Sequence, residues 1–159
     1  MKAGRNKIIR RKSLTSSSSS PSSLSSVTAA AATEDLTFNR NLAQVTEGLD
    51  AYVSKHLLEK ISRENASVIV DYILAMHSEI RVSDNSRLNT IVTLKSLAEF
   101  VTKPFKDIEH QDIINFLNTF RKSEEKDPMH KWVGTYNQIL ARIAKFFKWY
   151  YNKDIRPEK

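Results

Sequence analysis

From residue 34 onward, apolar residues return every three or four positions. Leu42, Val45, Leu49, Tyr52, Val53 and Leu57 do so across residues 38–60, which predicts a first helix there, weakened at Gly48. Ser62 stands three residues before Asn65 and reads as the N-cap of a second helix near 63–80, with Val68, Ile69, Tyr72, Ile73, Met76 and Ile80 on one face. Ser83 opens a third helix, and Asp84 places a negative charge in its first turn, where the helix dipole favours one. Its apolar stripe is Leu88, Ile91, Leu94, Ala98 and Val101. Pro104 cannot continue that helix, and Phe105 and Ile108 fall in a short connection. A fourth helix is predicted near 110–122, burying Ile113, Ile114, Leu117 and Phe120, followed by RKSEEKDP (121–128) as a solvated loop. The last helix starts between 131 and 135 and runs to about 151.

That last helix has two contrasting sides. Val133, Tyr136, Ile139, Leu140, Ile143, Phe146, Phe147 and Tyr150 form a stripe expected to be core. The opposite arc holds Lys131, Gln138, Arg142, Lys145 and Lys148, with no acid among them. Solvated helix faces usually mix signs, because like charges one turn apart repel. An anion between Arg142 and Lys145 would remove that cost. The helix dipole accounts for Lys145 and Lys148 in the last turns without any ligand, but not for Arg142. Trp149 falls on the polar arc too, which suggests contact with another segment. On the third helix, Asn85, Asn89, Thr93 and Ser96 lie opposite the apolar stripe. They read either as a plain solvated face or as short polar side chains suited to phosphates and base edges.

Charge sharpens the picture. The net charge of +7 over 159 residues is uneven. Residues 1–33 hold six basic residues and no acid, 34–80 four basic and eight acidic, 81–130 eight of each, and 131–159 seven basic and two acidic. Basic ends around a neutral or acidic middle point to a polyanionic partner. The Ser-rich stretch 1–33 has too little apolar surface to offset chain entropy and is expected to be disordered. It reads as an arm attracted to nucleic acid, as a passive tail, or, being Arg- and Ser-rich and acid-poor, as an organelle transit peptide.

Composition removes other classes. With no Cys there is no disulfide framework, thiolate zinc site or cysteine nucleophile. His56, His77, His110 and His130 lack metal-ligand spacing, so no metal is expected. There is no Gly-rich phosphate loop, no apolar run of membrane-spanning length and no secretory h-region. No cofactor, small-molecule substrate or membrane partner is expected. Three Gly and four Pro, no strand pattern and no internal repeat give an all-α fold of four core helices with one helix in front.

The segments ENASVIVDYILAM (64–76), VSDNSRLNTIVTLKSLAEFV (82–101), KPFKDIEHQDIINFLNTFRKS (103–123) and DPMHKWVGTYNQILARIAKFFKWYYNKDI (127–155) together resemble the N-terminal core-binding domain of tyrosine recombinases, the phage integrase and Xer type, closest to the archaeal integrase-like branch. KPFKDI, HKWVGTYN and KFFKWYY in combination carry the resemblance. It implies a SAM-like four-helix bundle over 62–155, after a disordered tail (1–33) and a helical extension (34–61), with 156–159 opening an interdomain linker.

Such modules form half of a clamp around duplex DNA, their second and fourth helices facing adjacent major grooves. Here those are the helices near 84–101 and 133–151. The resemblance puts Thr135 at a polar phosphate-contacting position and Gln138 where the family usually has Arg, with Arg142 one turn on as a substitute. Candidate DNA-binding residues are thus Asn89, Thr93, Lys131, Thr135, Asn137, Gln138, Arg142, Lys145 and Lys148. The family's catalytic Arg, Lys, His-x-x-Arg and Tyr belong to a following domain. Neither His77 nor His130 begins His-x-x-Arg, so no catalytic residue is expected in this chain. The expectation is a cytoplasmic, nucleoid-associated module for DNA integration, with double-stranded DNA as partner. The alternatives are the front part of a split recombinase that works with a catalytic partner, or a remnant that binds recombinase protomers.

Overall fold

The computed structural model describes residues 22–49, 59–79 and 82–152, with the backbone alone for 22–31, 78 and 79. Among them there are five α-helices and no strand: α1 Ser22–Thr46, α2 Arg63–Glu79, α3 Asp84–Val101, α4 His110–Asn118 and α5 Trp132–Tyr151. A short 3-10 turn, Phe105–Asp107, precedes α4. The fold is all-α, as the periodicity predicts. Tyr52, Val53, Leu57, His56 and Ile80 lie outside the described residues, as do 1–21 and 153–159.

The first helix departs from expectation at both ends. It begins at Ser22, inside the segment expected to be disordered. Residues 29–32 are four alanines, the strongest helix formers, and they need no burial to favour the helical backbone. It ends at Thr46 instead of running on towards residue 60. Gly48 takes φ 77°, a left-handed conformation that glycine reaches without strain and that closes a helix. The side chains from Ala32 to Thr37 are exposed, while Phe38 and Leu42 are half-buried and Val45 is buried. The second half of α1 is therefore the docked half. It runs alongside α2, where Arg63 pairs with Asp35 at 2.7 Å and lies over the Phe38 ring at 3.4 Å.

The two serine caps form as their spacing predicts. Ser62 Oγ accepts from the Asn65 N–H at 3.2 Å, and Ser83 Oγ from the Ser86 N–H at 3.4 Å. Buried Asn65 then fastens α2 to the end of α3. Its Nδ2 donates to the Lys103 carbonyl at 2.9 Å, and its Oδ1 accepts from the buried Phe105 N–H at 2.9 Å. These bonds place the start of α2 beside the end of α3, so the two helices are antiparallel. At the other end, the buried Arg87 guanidinium bonds Asp84 at 2.9 Å and the carbonyl of Glu47, joining α1 to α3.

Helix α3 is central, with α2, α4 and α5 packed around it. Leu94, Leu97 and Phe146 are fully buried, and Ile69, Val70, Ile73, Phe105 and Ile143 nearly so. Each such side chain contributes about 1.5–3 kcal/mol by leaving water. Phe105 seats α5: its ring meets Phe146 at 4.8 Å and Phe147 at 6.4 Å. Helix α4 closes four residues earlier than its apolar spacing predicts. Thr119, Phe120 and Arg121 donate back three residues to Phe116, Leu117 and Asn118, which tightens the chain into a turn.

The predicted core stripe of α5 is too wide. Ile139, Ile143, Phe146 and Phe147 are buried, and Tyr136 and Tyr150 are half-buried. Val133 and Leu140, however, are 39% and 40% exposed. Neighbouring helices cover one side of the stripe, and these two residues lie beyond its edge.

Candidate nucleic-acid interface

Helix α5 is launched by the loop before it. His130 sits at φ 49°, and the Asp127 carboxylate accepts from the Trp132 N–H at 3.0 Å, closing the first turn. Loss of water around Asp127 pushes its carboxyl up. The bonds from the Trp132 and Lys131 N–H groups and the charges of Lys122 and Lys131 outweigh that and hold it below the ordinary range.

Lys131, Thr135, Gln138, Arg142, Lys145 and Trp149 follow one another by 4, 3, 4, 3 and 4 residues, which keeps them on one flank of α5. Lys131, Thr135, Gln138 and Lys145 are exposed, and Arg142 is half-buried. No Asp or Glu occurs between Trp132 and Tyr151. Trp149 meets another segment, as its position on the polar arc suggests, and that segment is α2 of the same chain. Trp149 is half-buried, its ring 5.0 Å from Tyr72 and 6.3 Å from Phe146. The aromatic wall of the core thus extends under the upper end of the basic flank. Burial of Tyr72 there pushes its phenol up to about 12. Asn137 and Lys148 are exposed but fall on the other side of the helix, so the structure does not join them to this row.

At its lower end the flank opens into a cavity of about 370 Å³ lined by Thr119, Lys122, Asp127, Lys131, Trp132 and Thr135 among others. Trp132 Nε1 is buried without an acceptor. The Arg121 guanidinium carbon lies 5.6 Å from the Trp132 ring centre. Two lysines and the Thr135 hydroxyl around one hollow can donate to the oxygens of an anion, and Asp127 is already engaged with backbone N–H groups. Sequence reasoning passed over Arg121, Lys122 and Trp132. Their one signal was the basic pair at the head of a loop taken as plain solvent-facing chain.

The α3 candidates fare unevenly. Asn89 is half-buried, and its Nδ2 donates to Asn85 Oδ1 at 3.2 Å. Thr93 is 8% exposed, and its hydroxyl donates to the Asn89 carbonyl at 2.7 Å. It is thus a core-facing side chain and not a surface contact, because three helices crowd around α3 and leave only a narrow outer strip. That strip also bears exposed Val92 and Phe100.

Among the described residues, no three His, Cys, Asp or Glu come together as a metal site, and no helix is long and apolar enough to cross a membrane. No protein-family model, curated protein or solved structure matches the chain.

Proposed function

We propose that the chain is a DNA-binding module of the tyrosine-recombinase core-binding type, a SAM-like bundle that holds duplex DNA while another polypeptide segment supplies strand cleavage. The observation that carries this reading is the acid-free flank of α5, where Lys131, Thr135, Gln138, Arg142 and Lys145 line up and lead into the Lys122–Trp132 hollow. A row of cations and short polar donors suits consecutive phosphates, and the hollow suits one phosphate oxygen pair. In this reading Gln138 and Asn89 are the candidates for contacts to base or sugar edges. Tyr150 makes a poor nucleophile: it is half-buried, stacks on Phe146 at 5.8 Å, and burial raises its phenol pKa.

The test is a fluorescence-anisotropy titration of a labelled duplex with the full chain at two salt concentrations. Neutralising about four phosphates gives a log–log salt slope of about −3.6, so affinity falls about a hundredfold between 50 and 200 mM salt. Arg142→Glu with Lys145→Glu should lower affinity at low salt at least about tenfold. Binding that ignores both salt and charge reversal would sink the proposal.

A further inference from the structure

The part of α5 left uncovered by the core divides into two faces, and the basic flank is only one of them. The other follows Val133, Asn137, Leu140, Ala144, Phe147 and Tyr151, again spaced 4, 3, 4, 3 and 4, with all but the buried Phe147 exposed. Val133 is 39% exposed, Leu140 40% and Tyr151 62%. Asn137 and Ala144 are exposed as well, and Phe147 forms the floor, its ring stacked on Tyr151 at 5.8 Å. Alternating steps of three and four keep a row in line along a helix, and this is the spacing by which two helices pack. Gly134 and Ala141 border the row and are exposed, and a Cβ on Gly134 would meet nothing within 4 Å. A second backbone can therefore come close. Within α5, one charged residue, Lys148, borders the row.

We infer that this row is a homodimer contact in which α5 packs antiparallel against α5 of a second copy of the chain. The row is its own complement when reversed. About a twofold axis between Leu140 and Ala144, Val133 meets Tyr151 of the copy, Asn137 lies over the floor formed by Phe147 and Leu140 meets Ala144. In every layer a smaller side chain faces a larger one, which is how facing helices interdigitate, and the twofold repeats each pair. A parallel copy would set Tyr151 on Tyr151 and Ala144 on Ala144, crowding one end and leaving a gap in the middle.

Charge selects the same arrangement. In the antiparallel pair the two Lys148 side chains sit about 18 Å apart along the axis, beyond the screening length in physiological salt. The basic flanks point away from the contact, and the two helix dipoles oppose. An acidic helix from another protein would gain an ion pair at Lys148 alone. One helix row about 27 Å long lies at the small end of specific interfaces, so the dimer is weak, with a Kd on the order of 10–100 µM.

Sedimentation equilibrium of the full chain from about 10 µM to about 1 mM spans that range. A monomer–dimer equilibrium is expected, with Leu140→Glu weakening it at least about tenfold. Because the chain has no Cys, Leu140→Cys and Ala144→Cys chains can be mixed under an added oxidant. A 140–144 disulfide between chains is expected in preference to 140–140. A chain that stays monomeric, a dimer indifferent to Leu140→Glu, or preferential 140–140 linkage each overturns the inference. The disulfide pattern decides if Leu140→Glu fails to fold. The contact does not rest on DNA binding: a monomer that binds duplex defeats only the dimer, and a dimer that ignores duplex defeats only the DNA reading.

Discussion

Replacing Asn65 with Ala removes one side chain that serves two distant backbone groups. Its amide bonds the Lys103 carbonyl and the Phe105 N–H, both at 2.9 Å. Asn65 is only 3% exposed, so water cannot readily take its place. A buried backbone group left without a partner costs about 1–3 kcal/mol. The Phe105 N–H lies at the buried end and pays in full, while the Lys103 carbonyl is nearer the surface and pays less. The expected loss is about 2–4 kcal/mol. For a chain of this size each kcal/mol lowers the Tm by about 3–5 °C, so the Tm should fall by about 6–20 °C. Urea unfolding followed by circular dichroism reads the loss directly, and an unchanged m-value would place it in the native state. Asn65→Asp is the informative companion, because it keeps an acceptor for Phe105 but gives up the donor to Lys103. A loss under about 1 kcal/mol for Asn65→Ala would refute the reasoning, since it would mean that the loop re-pairs its own backbone.

Two smaller perturbations test other joints. Gly48→Ala should cost about 1 kcal/mol, because φ 77° strains any Cβ, although the space is adequate with Asp84 Oδ2 at 3.5 Å. Gly48→Asn should cost less, since Asn tolerates the left-handed region, and equal melting temperatures for all three chains would refute the strain argument. The Asp127 carboxyl, held below its ordinary 3.8, supports the start of α5 above the carboxylate range and withdraws that support as pH falls through the folded pKa. Protection of the Trp132 amide, measured against its intrinsic exchange rate at each pH, should therefore fall below about pH 4, and Asp127→Asn should abolish that pH step. A pH step that survives Asp127→Asn would assign it to another group.

What could be read from the sequence was what depends on near neighbours. The Ser62 and Ser83 caps and the break at Pro104 each involve a few residues, and each stands where its spacing places it. Periodicity also found the buried centre of α5 at Ile139, Ile143 and Phe146. It does not say how much of the arc the neighbouring helices cover, and so spacing alone assigns Val133 and Leu140 to the core and Thr93 to the surface, where the structure has the reverse. Apolar spacing is blind to the alanine run that carries α1 back to Ser22, because propensity and not amphipathicity holds it there. The Trp132 hollow depends on how the loop 121–131 folds back on the end of α4, and no local pattern encodes that.

The placement of α5 links these observations. Two exposed rows with the same spacing sit on opposite flanks of one helix, so a single rigid element presents a cationic face and an apolar face at a fixed angle. That angle is set from below, by Phe105 against Phe146 and Phe147 and by Tyr72 against Phe146 and Trp149. Asn65 in turn holds the backbone of Phe105. Loosening Phe105 through Asn65→Ala should therefore weaken duplex binding and dimer formation together. Arg142→Glu should weaken the first alone, and Leu140→Glu the second alone. If Asn65→Ala left both intact while lowering the Tm, α5 would be held by its own aromatic contacts, and the clasp would serve stability without governing either face.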